Sequence, residues 1–315
     1  MRVLITRQFD AQVMARAAEA FETVALEGGA LDEAAIADAL VTYDAIMGTV
    51  GDAFTAGAFA GAGDDLRCGM IANVAVGHNH IDLDAARAAG VLVSNTPDVL
   101  TDATADIGWT LLLSAARRAG EGERLVRSGR WGGFAQDMLG LQVTGKTLGI
   151  VGMGRIGQAV AKRGRLGFDM EVLFHNRSRK EVPGARQVES LEALMAAADF
   201  VVVTVPGGAG TRGLIGPEAI APMKPTGILV NIARGEVVDE TALIEALEEG
   251  RIAGAGLDVY ENEPDVPERL RALENAVLLP HLGSATIETR RAMGMMALDN
   301  LIAYAEGRPP PQALA

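Results

Sequence analysis

The chain has 315 residues, with 28 basic against 41 acidic side chains and a formal net charge of −13. At about 150 residues per domain this length predicts two domains, and 49% apolar against 22% charged residues excludes a disordered chain. The acidic balance argues against nucleic acid as a partner, and it confines any anion site to a few placed arginines.

One cysteine, Cys68, excludes an intrachain disulfide and a cysteine-based zinc site, and fits a reducing cytosol. Met1–Asp10 lacks the basic and apolar regions of a signal peptide. The longest apolar stretch, near Ile107–Ala116, is shorter than the ~20 residues of a membrane span. The expectation is a cytoplasmic protein that does not enter the membrane.

The first ninety-odd residues alternate apolar runs of strand length with Ala-rich helical ones. The strand candidates are Val3–Ile5, Thr23–Leu26, Ala45–Met47, Met70–Ala72 and Val91–Val93. Asp10–Ala20, Leu31–Leu40 and Leu83–Ala89 have helical periodicity. This alternation predicts a parallel sheet covered on both faces.

Thr96-Pro97-Asp98 breaks the pattern, and a helix is predicted over Thr101–Arg118, with Thr101 or Asp102 as N-cap and an arginine pair at its C-terminal end. Its apolar residues cover more than one face, which predicts burial on two sides, between domains or between subunits. A Gly-rich patch with Trp131 and Phe134 follows. A second alternating series then supplies six strand candidates: Leu148–Val151, Glu171–Phe174, Phe200–Val205, Ile228–Val230, Gly256–Val259 and Ala276–Leu279. Six such strands with helices between them describe a complete dinucleotide-binding sheet. A last helix is predicted near Thr286–Glu306, before Gly307 and a Pro-rich tail.

Gly152-Met153-Gly154-Arg155-Ile156-Gly157 lies between a strand candidate and a helical segment. In that context the glycines permit a tight turn and close approach of a pyrophosphate to the helix N-terminus, where N–H groups and the dipole bind an anion. The next strand ends in His175-Asn176-Arg177-Ser178-Arg179-Lys180. An acid at this place would bind the adenosine ribose and repel a 2′-phosphate. Asn176 stands there instead, and Arg177 and Arg179 can pair with phosphate oxygens, which points to NADPH with NADH as the alternative.

Three further strand ends carry Asn231-Ile232-Ala233-Arg234-Gly235, Leu257-Asp258-Val259-Tyr260-Glu261-Asn262-Glu263-Pro264 and Leu279-Pro280-His281-Leu282-Gly283-Ser284-Ala285-Thr286. An Arg, a Glu and a His thus arrive at the carboxyl ends of strands, where open α/β sheets bind ligands. In this order the segments resemble the D-isomer-specific 2-hydroxyacid dehydrogenase family, and within it the glyoxylate/hydroxypyruvate reductases. The likeness extends to Asn73–Asp82 and to Thr96–Asp106, and so spans nearly the whole chain.

The resemblance implies two Rossmann-like/flavodoxin-like doubly wound parallel-sheet domains, α/β in class, with an interdomain active-site cleft. Residues 1–97 plus 288–315 would form the substrate-binding domain and 98–287 the dinucleotide-binding domain, with crossings near 97 and 287 as a hinge. It implies His281 as proton donor to a 2-oxo acid, Glu263 as its carboxylate partner and Arg234 as the group that binds the substrate carboxylate. Backbone N–H groups of Val76 and Gly77 would hold the other end of that carboxylate. The elementary chemistry agrees, since a carboxylate favours imidazolium and a guanidinium fork suits a carboxylate.

Cofactor contacts are expected from Gly152, Gly154, Arg155, Ile156 and Gly157, and from Asn176, Arg177, Ser178 and Arg179. On the nicotinamide side they fall on Val205, Pro206, Thr211, Ile232, Asp258 and Gly283, with Asp258 also helping to set the electrostatics of His281. The loop Val205–Thr211 is richer in glycine than the family pattern, which suggests greater mobility. Phe134 falls where some relatives carry a tryptophan that reaches into the neighbouring subunit's pocket. No metal is implied, His78-Asn79-His80 notwithstanding, and a homodimer through helix 101–118 is expected. The implied reaction is NADPH-dependent reduction of glyoxylate to glycolate and of hydroxypyruvate to D-glycerate. Alternatives are an NADH-preferring dehydrogenase of pyruvate or phosphohydroxypyruvate, and a dinucleotide-sensing co-repressor on the same fold.

Overall fold

The computed structural model describes residues 1–133 and 136–314. The chain divides into two compact units, Met1–Leu100 with Ala285–Ala315, and Thr101–Ser284. The first unit begins with β1 (Arg2–Ile5), α1 (Ala11–Ala20), β2 (Glu22–Ala25), α2 (Glu33–Thr42) and β3 (Ala45–Gly48). It continues with α3 (Ala56–Ala62), β4 (Met70–Asn73), α4 (Leu83–Ala88) and β5 (Leu92–Ser94).

The second unit opens with α5 (Thr101–Ala116), α6 (Ala119–Arg127), β6 (Thr147–Val151), α7 (Arg155–Phe168), β7 (Glu171–His175) and β8 (Arg186–Gln187). Then come α8 (Leu191–Ala197), β9 (Phe200–Val203), α9 (Pro217–Ile220), β10 (Ile228–Asn231) and α10 (Glu240–Glu248). It closes with β11 (Gly254–Leu257), α11 (Glu268–Arg271) and β12 (Ala276–Leu278). The chain returns to the first unit through α12 (Ile287–Ala305) and β13 (Ala313–Leu314).

Helix starts follow from capping chemistry. Asp10, Asp32, Thr55 and Asp82 each accept an N–H of the first turn of α1 to α4, and Ser190, Asp239 and Thr286 do the same for α8, α10 and α12.

The first sheet has the order β13-β5-β4-β3-β1-β2. Its five parallel strands follow the flavodoxin-like order. The sixth, β13, is antiparallel to β5, with Ala313 opposite Ser94. Two residues offer no periodic signal, so this strand was absent from the sequence-based expectation. Ile36, Leu40, Ile46, Phe54 and Ile71 lie in the core on one face of this sheet.

The second sheet runs β12-β11-β10-β9-β6-β7-β8. Counted from β6 this is the 3-2-1-4-5-6 order of a dinucleotide-binding sheet, with one strand added beyond. The sequence indicated six strands, and the seventh is the two-residue edge strand β8. The strand expected at Gly256–Val259 lies two residues earlier, at Gly254–Leu257. Its glycines discourage a strand assignment from sequence, yet α5 needs Gly256. A Cβ on Gly256 would come within 2.8 Å of Leu111 Cβ.

The helix expected over Thr101–Arg118 stops at Ala116. Arg118 is left-handed with φ 52°, and the Ala116 carbonyl accepts the Leu141 N–H at 2.7 Å instead of continuing the helix. Both apolar faces of α5 are covered within its own unit, by α7 on one side and by β10, β11 and β12 on the other. Its double apolar character therefore reflects packing inside the domain. Trp109 stacks on Phe168 with centroids 4.5 Å apart, and its indole N–H donates to the Val160 carbonyl.

Candidate active site

The switch point of the second sheet lies between β6 and β9, where the strand order reverses. Gly152 leaves β6 there with φ +96°, and a Cβ on it would lie 2.7 Å from Val205 Cγ1. A Cβ on Gly157 would stand 2.3 Å from the Gly152 carbonyl, so the turn closes only without side chains at both places. Over exposed Gly154, by contrast, a Cβ would meet nothing within 4 Å. Gly154 is the N-cap of α7 and contributes no side-chain cap. A tight turn, an open cradle and an uncapped 14-residue helix fit a dinucleotide pyrophosphate. Arg155 opens α7 on its exposed side, and Ile156 is half-buried.

Past β7, the Asn176 amide ties this turn to the next one. Its Oδ1 accepts the Met153 N–H at 3.3 Å, and its Nδ2 donates to the Ser178 carbonyl and hydroxyl. Arg177, Ser178 and Arg179 are exposed. Lys180 donates from Nζ to the Met153 carbonyl at 3.0 Å.

The Gly-rich loop after β9 is held at several points. Thr211 donates its hydroxyl to the Pro206 carbonyl at 2.7 Å, and the Gly208 N–H donates to Glu236 Oε1 at 2.7 Å. Arg212 pairs with the same Glu236 carboxylate. Its glycines are thus compensated by a carboxylate two residues beyond Arg234. Ile232 turns its side chain into the core, where its Cδ1 would meet a Cβ on Gly108 at 2.9 Å. Only its backbone is placed to meet a ligand.

Arg234 follows β10 and sits half-buried. Burial lowers its pKa, while Glu263 and Glu236 pull it back up. A guanidinium starts so high that it stays charged. The loop bearing Arg234 lies against the loop bearing Glu263. A Cβ on Gly235 would fall 1.8 Å from the Tyr260 carbonyl carbon and oxygen. Only glycine permits that approach.

His281 Nδ1 meets Glu263 Oε2 at 2.7 Å. Because a carboxylate accepts, Nδ1 carries the proton of this bond and Nε2 is left for chemistry. Burial would raise the Glu263 carboxyl, but the His281 hydrogen bond and charge, the Tyr260 N–H and Arg234 together hold it below the ordinary value. Arg234, Glu263 and His281, distant in sequence, thus occupy one electrostatic cluster.

His281 itself adopts φ 54°, a left-handed backbone unusual for a residue with a Cβ. Asp258 secures this turn. Its carbonyl accepts the His281 N–H at 2.9 Å, and its carboxylate accepts the N–H groups of Leu282 at 2.7 Å and Gly283 at 2.8 Å. Burial raises the Asp258 carboxyl against these bonds. Asp258 thus bonds the histidine's turn through both oxygens, and each oxygen keeps a further lone pair. Gly283 is buried beside it.

Several contributors carry no motif signal. The Tyr260 hydroxyl donates to the Leu279 carbonyl at 2.9 Å, and burial among carboxylates pushes its pKa up to about 12. Glu240, buried at the start of α10, accepts the Glu261 N–H, and burial raises its carboxyl. Such residues act on backbone atoms, which a motif does not reveal.

In the first unit, the turn after β4 carries Val76 and Gly77. The Asn95 amide donates to the Val76 carbonyl at 2.9 Å and the Asn73 amide to the Gly77 carbonyl at 3.0 Å. Phe134 lies outside the described residues. Among the described residues no group of three or more His, Cys, Asp or Glu side chains is placed to hold a metal ion. No helix among them is long and apolar enough to cross a membrane.

Residues 109–283 match the D-isomer specific 2-hydroxyacid dehydrogenase NAD binding domain. A glyoxylate reductase of Thermococcus onnurineus is 44% identical over 319 aligned positions, covering 98% of this chain and 94% of that protein. A glyoxylate reductase of Thermococcus kodakarensis is 53% identical over 253 residues, covering 78% of this chain and 76% of the relative. Among solved structures, the NADPH-dependent glyoxylate/hydroxypyruvate reductase of Sinorhizobium meliloti in complex with NADP and malonate superposes with a TM-score of 0.88. That match has 36% identity and covers 100% of this chain and 96% of the other. Strand order, the Gly-rich turn and these likenesses agree: the chain belongs to the D-isomer specific 2-hydroxyacid dehydrogenases and is an oxidoreductase with an NAD-binding domain.

Proposed function

We propose that the enzyme reduces glyoxylate to glycolate, and hydroxypyruvate to D-glycerate, with NADPH as the preferred cofactor. The observation that carries this reading is the His281–Glu263 pair beside the Arg234 guanidinium. Glu263 fixes the ring so that the Nε2 side delivers a proton to the substrate carbonyl oxygen. Arg234 holds the 2-oxo acid by its carboxylate and polarises the carbonyl. The N–H groups of Val76 and Gly77 would serve as further carboxylate donors. NADPH, when bound, supplies the hydride that the carbonyl carbon receives.

For the cofactor, Gly152, Gly154, Arg155, Ile156 and Gly157 would hold the pyrophosphate. Asn176, Arg177, Ser178 and Arg179 would hold the adenosine 2′-phosphate and ribose. Val205, Pro206, Thr211, Asp258 and the backbones of Ile232 and Gly283 would flank the nicotinamide. Two exposed arginines at a strand end in a chain of net charge −13 support NADPH.

A homodimer also belongs to this reading, but with its surface moved from helix 101–118, whose apolar faces are covered in its own unit, to the region around α6. No residue of α6 is buried. Val126, Trp131 and Leu139 are 58%, 62% and 65% exposed, the large apolar surface a partner would cover. A cavity of about 510 Å³ opens on α6, lined by Arg118, Glu121, Arg124, Arg271 and Leu273 among others. The buried thiol of Cys68, the chain's single cysteine, suits a cytoplasmic site of action.

The test is a panel of glyoxylate, hydroxypyruvate, pyruvate and phosphohydroxypyruvate, each assayed with NADPH and with NADH. Highest kcat/KM is expected for glyoxylate with NADPH. A preference for pyruvate or for NADH would replace the substrate or cofactor assignment. No turnover with any pair would point to a dinucleotide-sensing protein.

A further inference from the structure

The edge strand β8 places one side chain against the turn expected to read the adenosine 2′-phosphate. β8 is fixed from two sides. Leu173 and Phe174 of β7 pair with Arg186 and Gln187, and the Val188 N–H donates to the Phe174 carbonyl at 2.9 Å while its side chain packs on the core. The half-buried Gln187 then faces the chain as it leaves β7. Its Nε2 donates to the Asn176 carbonyl at 3.0 Å and to the Ser178 carbonyl at 3.2 Å. Its Oε1 accepts the Lys180 N–H at 2.9 Å.

Two carbonyls on one side and an N–H on the other fix the amide's orientation, and no other uncharged side chain of that length makes both kinds of bond. All three bonds reach backbone atoms that flank Arg177 and Arg179, so they set the shape of the turn and leave the two guanidinium groups exposed. The turn is also tied to the Gly-rich loop, through Asn176 and through Lys180, both at Met153. Gln187 therefore stands behind the turn, and the charged side chains project from it.

We propose that Gln187 is a positioning residue that sets the NADPH-reading turn and so determines preference for a 2′-phosphorylated cofactor. The proposal rests on the NADPH reading above. Two arginines bind one phosphate well only when held at a fixed separation, since each lost degree of order is subtracted from the binding free energy. Removing Gln187 leaves both charges in place and loosens their spacing. The loss falls on the phosphorylated nucleotide, because an unphosphorylated one makes no use of that spacing.

The experiment compares adenosine 2′,5′-bisphosphate with AMP, titrated calorimetrically into the full chain. Gln187→Met, close in size but unable to make these bonds, should raise the bisphosphate Kd about fivefold and leave AMP within about twofold. The NADPH/NADH ratio of kcat/KM should fall by a similar factor. Gln187→Glu keeps the acceptor, loses both donors and brings a negative charge, so its bisphosphate loss should be larger. Thermal unfolding of each variant reports that it is folded.

If Gln187→Met and Gln187→Glu bind the bisphosphate as the parent does, while Arg177→Ala/Arg179→Ala binds it weakly, the positioning role is overturned and the NADPH reading stands. Equal weakening of both nucleotides also overturns it, because that is what a merely structural edge strand would give. If the double arginine variant keeps its bisphosphate affinity, the NADPH reading itself fails, and this proposal with it.

Discussion

His281 and Glu263 are 18 residues apart, yet Nδ1 and Oε2 meet at 2.7 Å. The bond joins two loops that leave different strand ends of one sheet. It fixes the tautomer of the ring and keeps a negative charge beside any proton the ring holds.

Removing that charge is the direct test of its role. Glu263→Gln should lower kcat by about 10²-fold, and His281→Ala should lower it by about 10²- to 10⁴-fold while NADPH still binds. Nucleotide binding followed by fluorescence separates the two effects. The pH dependence of stability should change as well. Glu263 lies below its ordinary value of 4.5 in the folded chain, so its stabilising contribution is present above that value and fades as pH falls through the depressed one. Unfolding of the Gln variant, followed between pH 6 and pH 3, should lack that acid-side loss.

Arg234 tests the need for a planar fork. Arg234→Lys keeps a cation but gives up the paired donors, and should weaken glyoxylate binding by about ten- to a hundredfold, through loss of charge-assisted hydrogen bonds. The measurement is KM for glyoxylate at saturating NADPH. An unchanged KM would remove Arg234 from carboxylate recognition.

Asp258 offers a stability prediction. Asp258→Asn leaves one acceptor for two N–H groups and puts an amide donor against the other, so unfolding free energy should drop by about 1–3 kcal/mol. Burial raises the native carboxyl above its ordinary 3.8, so the folded parent holds its proton more tightly than the unfolded chain does. Stability attributable to this group therefore declines as pH rises from 3.8 through the raised value, and the Asn variant should show no such decline. Denaturant titrations at several pH values read both effects.

The apolar surface around α6 makes the dimer testable. Val126→Asp with Trp131→Asp places two carboxylates on the proposed interface and should yield a monomer by light scattering. A parent chain that is already monomeric would refute the dimer at once.

Much of this protein is legible in its sequence because the signals are local. Alternating apolar runs mark the strands of both sheets, a Gly-rich turn between strand and helix marks the pyrophosphate cradle, and Arg234, Glu263 and His281 each sit at the end of an apolar run. Local signals stop where an element is too short or a contact is long-range. β8 and β13, two residues each, have no period to detect, and α5 stops at Ala116 because the Leu141 N–H claims that carbonyl. The strand at Gly254–Leu257 is legible with an offset of two residues, because its glycines, of which Gly256 lets α5 pack on it, carry no strand signal. Asp258 and Glu236 act through backbone N–H groups 24 to 28 residues away, and Gln187 through the backbone of a preceding turn, and such partners are chosen by proximity after folding. The sequence by itself determined which chemistry the strand ends carry. Only the tertiary structure decided which side chains hold those ends in shape, because a hydrogen bond to a distant backbone leaves no pattern among neighbouring residues.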